Sequence, residues 1–146
     1  MRRYHIALTD DDEDDIEIFE TAIRGMKFDV YLAVYRDGEA LLQSLFESNA
    51  VWPDLIFLDI NMPFIDGFEC LRRIRNSSAH SGQCVIVYST SGRSEDIRRA
   101  YELKANCFIQ KPSNIENLKR ILRGIVTREW NDPCEILAEE NFVLTA

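Results

Sequence analysis

Apolar and polar positions along this chain fall into blocks whose period switches repeatedly between that of a strand and that of a helix. Residues 4–9 (Tyr-His-Ile-Ala-Leu-Thr) form a short apolar run that predicts a strand. Beyond an acidic stretch, Ile16, Phe19, Ala22 and Ile23 recur at three- and four-residue spacing, the pattern of one apolar helix face that Gly25 closes. Residues 28–34 are rich in β-branched and aromatic side chains and predict a second strand. Asp37-Gly38-Glu39 opens a helix that buries Leu41, Leu42, Leu45 and Phe46. Leu55-Ile56-Phe57-Leu58 has no polar interruption, so it reads as a strand covered on both faces. A helix from Phe64 or Asp66 to Arg75 follows, with Phe68, Leu71 and Ile74 inward, and residues 76–83 make a surface loop. Residues 84–88 predict a fourth strand, and Ser94 is the expected cap of a helix with Ile97, Ala100, Tyr101 and Leu103 on its inner side. Residues 107–110 predict a fifth strand. Ser113-Asn114-Ile115-Glu116 reads as a capping box before a helix striped by Ile115, Leu118, Ile121, Leu122, Ile125 and Val126.

Five strand–helix alternations require a parallel sheet with right-handed crossovers and helices on both faces. In such a fold the site lies beyond the carboxyl ends of the strands. Those ends carry Asp10 and Asp11, Asp59, Ser89 and Thr90, and Lys111. Asp59 by itself could be a turn residue, since Asn61 and Pro63 stop the strand behind it. Carboxylates, hydroxyls and a lysine at four separate strand ends favour a common chemical purpose.

Composition narrows that purpose. The 146 residues suit one domain with its own core. A net charge of −8 argues against nucleic acid or an anionic membrane as partner. Much of that charge is concentrated in residues 10–15, which suggests a cation site. Clustered Asp side chains suit Mg²⁺ where phosphate supplies the remaining oxygens. Lys111 offers a point charge for phosphate, a Ser or Thr hydroxyl offers a donor, and Asp59 offers a nucleophile able to form an aspartyl phosphate. No apolar run is long enough to span a membrane and the start lacks a signal-peptide core, so a cytoplasmic setting is expected. Cys70, Cys84, Cys107 and Cys134 form no Cys-x-x-Cys pair and read as structural, with Cys84 and Cys107 as small buried hydrophobes. His5 and His80 read as surface or packing residues.

Four motifs in this order carry a resemblance. Leu8-Thr9-Asp10-Asp11, Leu58-Asp59-Ile60-Asn61-Met62-Pro63, Ser89 after the fourth strand and Lys111-Pro112 after the fifth resemble the receiver domain of two-component response regulators, over about residues 4–127. The resemblance implies a flavodoxin-like (βα)5 doubly wound sheet of order 2-1-3-4-5, in a receiver domain of residues 1–128. It further implies that Asp59 accepts a phosphoryl group from a phosphohistidine on a sensor histidine kinase or phosphotransfer protein. Mg²⁺ would be held by Asp11, Asp59 and the Asn61 carbonyl, with Asp10 acting through water. Lys111 would pair with Asp59 and then with the phosphoryl group, and the Lys111–Pro112 bond would be cis. Ser89 matches the switch hydroxyl, with Thr90 one residue away. Phe108 matches an aromatic switch whose burial, as Ser89 moves, would alter a face read by a downstream protein. Asn61 and Ser91 lie where the family tunes hydrolysis.

A Mg²⁺-dependent aspartyl-phosphate phosphohydrolase is the alternative, but such enzymes carry an acid two residues after the nucleophile, where this chain has Asn61. A flavodoxin-like cofactor binder would need a phosphate-cradling loop after the first strand, where there is only Asp. Residues 129–146 form a C-terminal extension too short for a DNA-binding or catalytic output domain. Pro133 is expected to break the last helix. Trp130, Ile136, Leu137 and Phe142-Val143-Leu144 are apolar enough to fold back on the domain or to pair a second copy into a homodimer.

Overall fold

The computed structural model describes residues 3–128 and 134–145. Five strand–helix units run in order: β1 (Arg3–Thr9), α1 (Glu13–Arg24), β2 (Asp29–Tyr35), α2 (Gly38–Leu45), β3 (Leu55–Leu58), α3 (Gly67–Arg75), β4 (Val85–Ser89), α4 (Ser94–Glu102), β5 (Cys107–Gln110) and α5 (Ile115–Thr127). A short 3₁₀ turn (Glu139–Asn141) and a sixth strand, β6 (Val143–Leu144), follow. All pairings are parallel, and the sheet order is β2-β1-β3-β4-β5-β6. The expected order 2-1-3-4-5 is therefore present, extended at one edge by a strand from the C-terminal segment.

The sheet is buried on both faces, which is why its central strands carry unbroken apolar runs. Side chains alternate between two cores. Ile6, Leu8, Leu55, Phe57, Ile86, Tyr88 and Ile109 face α1 and α5, while Ala7, Ile56, Leu58, Val85, Val87 and Phe108 face α2, α3 and α4. Phe19 of α1 packs edge-on against Phe57 and Tyr88, at centroid separations of 5.0 and 5.5 Å. His80 stacks on Trp52 at 3.7 Å, a packing role as expected.

The helix starts differ from expectation in two places. Arg93, not Ser94, occupies the cap position of α4 and makes no side-chain cap bond. Ser91 supplies the local bonds instead, accepting from the Arg93 amide and donating to Asp96. At α5 the cap is Asn114 rather than Ser113, its side chain accepting from the Asn117 amide. Both helices start where the neighbouring strand end directs the chain, and that direction selects the capping side chain. The second strand begins at Asp29 rather than at Phe28. On α4 only Ala100 is fully buried, with Ile97, Tyr101 and Leu103 packed at the margin of the core.

The cysteines and the tail correct the sequence reading further. Cys84 and Cys134 are disulfide-bonded, with Cα atoms 5.3 Å apart and 50 residues between them in sequence. Cys84 is thus not a free hydrophobe; Cys70 and Cys107 are free and buried. Of the tail residues, Trp130 and Pro133 lie outside the described ones. Residues 134–145 fold back on the domain: Leu137 and Phe142 are buried and β6 pairs with β5. A second polar anchor is Asn106, which is 1% exposed. Its carbonyl oxygen accepts from the Val85 amide and the Arg75 guanidinium, and its amide nitrogen donates to the carbonyls of Cys134 and Glu135. Burial also pulls the Arg75 guanidinium down to about 10. Removing such a hub leaves several buried groups without partners. Asn106→Ala should therefore destabilise the protein by about 2–4 kcal/mol, read as a lower urea midpoint; a loss within ~0.5 kcal/mol would contradict it.

Candidate functional site

Strand register brings the chemistry together. Thr9 pairs with Leu58, so Asp10 and Asp59 leave the sheet side by side, and the Asp59 amide donates to the Thr9 carbonyl at 3.0 Å. Ser89 pairs with Gln110, and the Lys111 amide donates to the Ser89 carbonyl at 2.7 Å. Each strand ends because its next residue turns away, Asp12 into the cap of α1 and Asn61 into the loop before α3. The Asp12 carboxylate accepts from the amides of Asp14 and Asp15. Gly67 begins α3 against the strand-three turn, where a Cβ would overlap the Asp59 carbonyl and Ile60. Only glycine permits that approach. Phe64, between Pro63 and that glycine, holds a φ of 66° and is fully exposed.

Asp10, Asp11 and Asp59 each offer a carboxylate oxygen within 4.8 Å of the others. Asp10 is wholly buried and Asp59 is 5% exposed, whereas Asp11 is open to solvent. Both Asp10 oxygens are engaged, one by the Asp12 amide and the other by Lys111. The Lys111 ammonium lies 2.7 Å from Asp10, 2.8 Å from Asp15 and 3.5 Å from Asp59. The expected Lys111–Asp59 pair is thus the longest of three contacts. Asp15, read from sequence only as a residue suited to a helix start, is a direct partner of the lysine. Its position one turn into α1 is the only sequence signal that could have marked it. Lys111 also lies 5.2 Å from the centre of the Tyr88 ring.

Ser89 is fully buried and Thr90 exposed, so the strand turns the first of the two hydroxyls inward. The Ser89 hydroxyl accepts from the Ser91 amide at 3.1 Å and from the Asn61 side chain at 3.4 Å. The Asn61 amide donates to Asp59 at 3.2 Å. Phe108 is already completely buried while Ser89 bonds to the loop, because Phe142 and Tyr101 belong to the core that closes over it. Phe108 is thus already turned inward in this arrangement of Ser89.

The electrostatics follow from the burial. Desolvation pushes the Asp59 carboxyl up to about 6; the Lys111 charge opposes this and the Asp10 charge adds to it. Asp10 is raised for the same first reason, with hydrogen bonds from Lys111 and Asp12 opposing. Burial disfavours the Lys111 ammonium, yet bonds to Asp10 and Asp15 and the charge of Asp59 hold its pKa above the ordinary lysine value. Three converging carboxylates, two of them ionised at a cost, fit a hard divalent cation with oxygen ligands. Between the ordinary value of 3.8 and about 6, folded Asp59 keeps a proton that the unfolded chain has released. Stability contributed by that protonated form is lost as pH rises through this window. In metal-free protein, Asp59→Asn should raise stability at pH 7 by on the order of 1–2 kcal/mol. That gain should disappear by about pH 4, below the unfolded value, and denaturant titrations of both proteins at the two pH values check the sign.

Known proteins resemble this chain in sequence and in fold. The family model for the response regulator receiver domain matches residues 6–123. Response regulator Rcp1 of Synechocystis sp. is 32% identical over 124 residues, covering 82% of this chain and 84% of that protein. The crystal structure of the Mn(2+)-bound form of Rcp1 superposes with a TM-score of 0.75 at 31% identity, over 84% of this chain and 91% of that one. The phosphorylated cyanobacterial phytochrome response regulator RcpA gives 0.76 at 35% identity, over 85% and 91%. Response regulator RPA3017, from red light signalling of R. palustris, gives 0.80 at 25% identity, over 92% and 99%. With the family model matched from β1 into α5, this chain belongs to the response regulator receiver domain family and is a receiver of two-component signal transduction.

Proposed function

We propose that Asp59 is the phosphoacceptor of this receiver and that Mg²⁺ is its metal. The observation that carries this reading is the convergence of Asp10, Asp11 and Asp59 within 4.8 Å beside a buried lysine. The donor would be a phosphohistidine on a sensor kinase or phosphotransfer protein. An Asp59 carboxylate oxygen attacks phosphorus, an O–P bond forms as the N–P bond breaks, and the leaving imidazole takes up a proton from solvent. Bound Mg²⁺ would offset charge on the incoming phosphoryl oxygens, with Asp11, Asp59 and the Asn61 carbonyl as its protein ligands. The Mn(2+)-bound relative supports a divalent ion at such a site, and the phosphorylated relative supports the covalent state.

This chain's own residues then divide the work. Asp10, bonded to Lys111 and to the Asp12 amide, holds the lysine and would reach a metal through water. Lys111 sits within reach of Asp59 and takes a phosphoryl oxygen once the carboxylate is esterified. Ser89, now bonded to Ser91 and Asn61, donates its hydroxyl to the phosphoryl group. Asn61 and Ser91 flank the reacting centre and tune hydrolysis of the acyl phosphate. The product is a switch whose catalysis is limited to its own phosphorylation and dephosphorylation. A phosphohydrolase would need an acid where Asn61 offers an amide. Among the described residues no helix is long and apolar enough to cross a membrane. A cytoplasmic setting is part of this proposal, and there Cys84 and Cys134 would be kept largely reduced, leaving Asn106 to hold the root of the tail. A protein target rather than DNA and a homodimer formed through the tail complete it. The last would require β6 to change partners.

Acetyl phosphate with Mg²⁺ should add one phosphoryl group to the full chain, seen as an acid-labile, hydroxylamine-sensitive mass increase. Asp59→Asn should abolish it, and Lys111→Ala should leave labelling but blunt the response it causes. Undiminished label on Asp59→Asn would sink the assignment, and equal labelling after chelation would remove the metal from it.

A further inference from the structure

A line of contacts runs from the switch hydroxyl to the C-terminal tail. The Ser89 hydroxyl accepts from the Ser91 amide, and the Ser91 hydroxyl donates to Asp96, in the first turn of α4, at 2.6 Å. At the far end of the same helix, Tyr101 packs edge-on against Phe142, with ring centroids 5.2 Å apart. Phe142 is 1% exposed and belongs to the core that contains Phe108. Its carbonyl accepts the Phe108 amide at 2.9 Å, and the next two residues form β6 along the edge of β5. The root of this segment is fixed by the Cys84–Cys134 disulfide, by Asn106 and by the Leu137 amide bonded to the Asn106 carbonyl.

Tail docking therefore covers the sheet edge beside α4 and β5 with the chain's own strand. An uncovered β5 would present unpaired backbone groups and the apolar ground now under Phe142, both of which attract a partner. A Ser89 hydroxyl recruited to a phosphoryl group leaves the Ser91 amide, and the Ser91–Asp96 link passes that loss to α4. Any shift of α4 alters the seat of Phe142 through Tyr101.

We infer that the described tail residues 137–144 are an autoinhibitory strap on the β5 edge, released when Asp59 is phosphorylated by way of Ser91, Asp96 and Tyr101. The inference rests on Asp59 being the phosphoacceptor. Because linkage is reciprocal, the strap in turn restrains phosphorylation, and coupling between sites in proteins is commonly 5–150-fold. The strap lifts from the β6 side, since the disulfide and Asn106 hold its root.

The test is pulsed hydrogen exchange on the full chain, with and without excess acetyl phosphate and Mg²⁺, while intact mass reports the fraction labelled. Peptides that carry Phe108 and Phe142 should exchange about tenfold faster in labelled protein. Phe142→Ala should exchange fast without any label, and Phe142→Leu should restore much of the protection. Asp96→Ala should take the label but show no further loosening. Fully labelled protein with unchanged exchange overturns the strap and leaves Asp59 as phosphoacceptor. Loosening of Asp96→Ala as large as that of the unaltered chain overturns the route through α4. Absence of label overturns both readings.

Discussion

One ammonium among carboxylates sets the terms for the rest of the site. Lys111 lies within 2.8 Å of Asp10 and of Asp15 and within 3.5 Å of Asp59, and its side chain is 6% exposed. Buried charges are tolerated only when paired and hydrogen-bonded. Counting Asp10, Asp11, Asp15 and Asp59 as four negative charges against one positive leaves three uncompensated. Such a pocket suits a divalent cation, whose charge would offset that excess before a dianionic phosphoryl group arrives. The lysine compensates one of those charges, and a bound cation would compensate more.

The scaffold serves this arrangement by register. Parallel strands buried on both faces cannot slip without moving an entire face of side chains out of its core. Ile56 and Leu58 on one side, with Leu55 and Phe57 on the other, thus fix the level at which Asp59 leaves the sheet. The β1–β3 and β4–β5 registers fix Asp10 and Lys111 in turn. Glycine at 67 lets α3 start against that turn, so the helix end and the carboxylate share one small volume.

Much of this was legible in the sequence, and for physical reasons. Strands such as Leu55–Leu58 have no polar residue because both faces are covered, and α1 shows its period because one face is not. The ends of those strands then name Asp10, Asp59, Ser89 and Lys111 without further information. Asp15 was not legible, because an acid in the first turn of a helix already has a sufficient local reason. The sixth strand is two residues long, too short to show any period, and its pairing is decided by the edge it meets. Cys84 and Cys134 are 50 residues apart, and only the fold-back of the tail makes them neighbours. The capping-box spacing named Ser113 as the cap of α5, and the direction of the chain after Lys111 puts Asn114 there instead.

The covalent bond between Cys84 and Cys134 has a topological consequence. It closes a ring of chain that contains Ser89, Phe108 and Lys111 but neither Asp10 nor Asp59. The acidic half of the site thus belongs to open chain, and the half with Ser89, Phe108 and Lys111 belongs to a loop with fewer conformations available when unfolded. Separation of β1 from β3 can therefore take Asp10 away from Asp59 without breaking the covalent ring that carries Ser89 and Lys111.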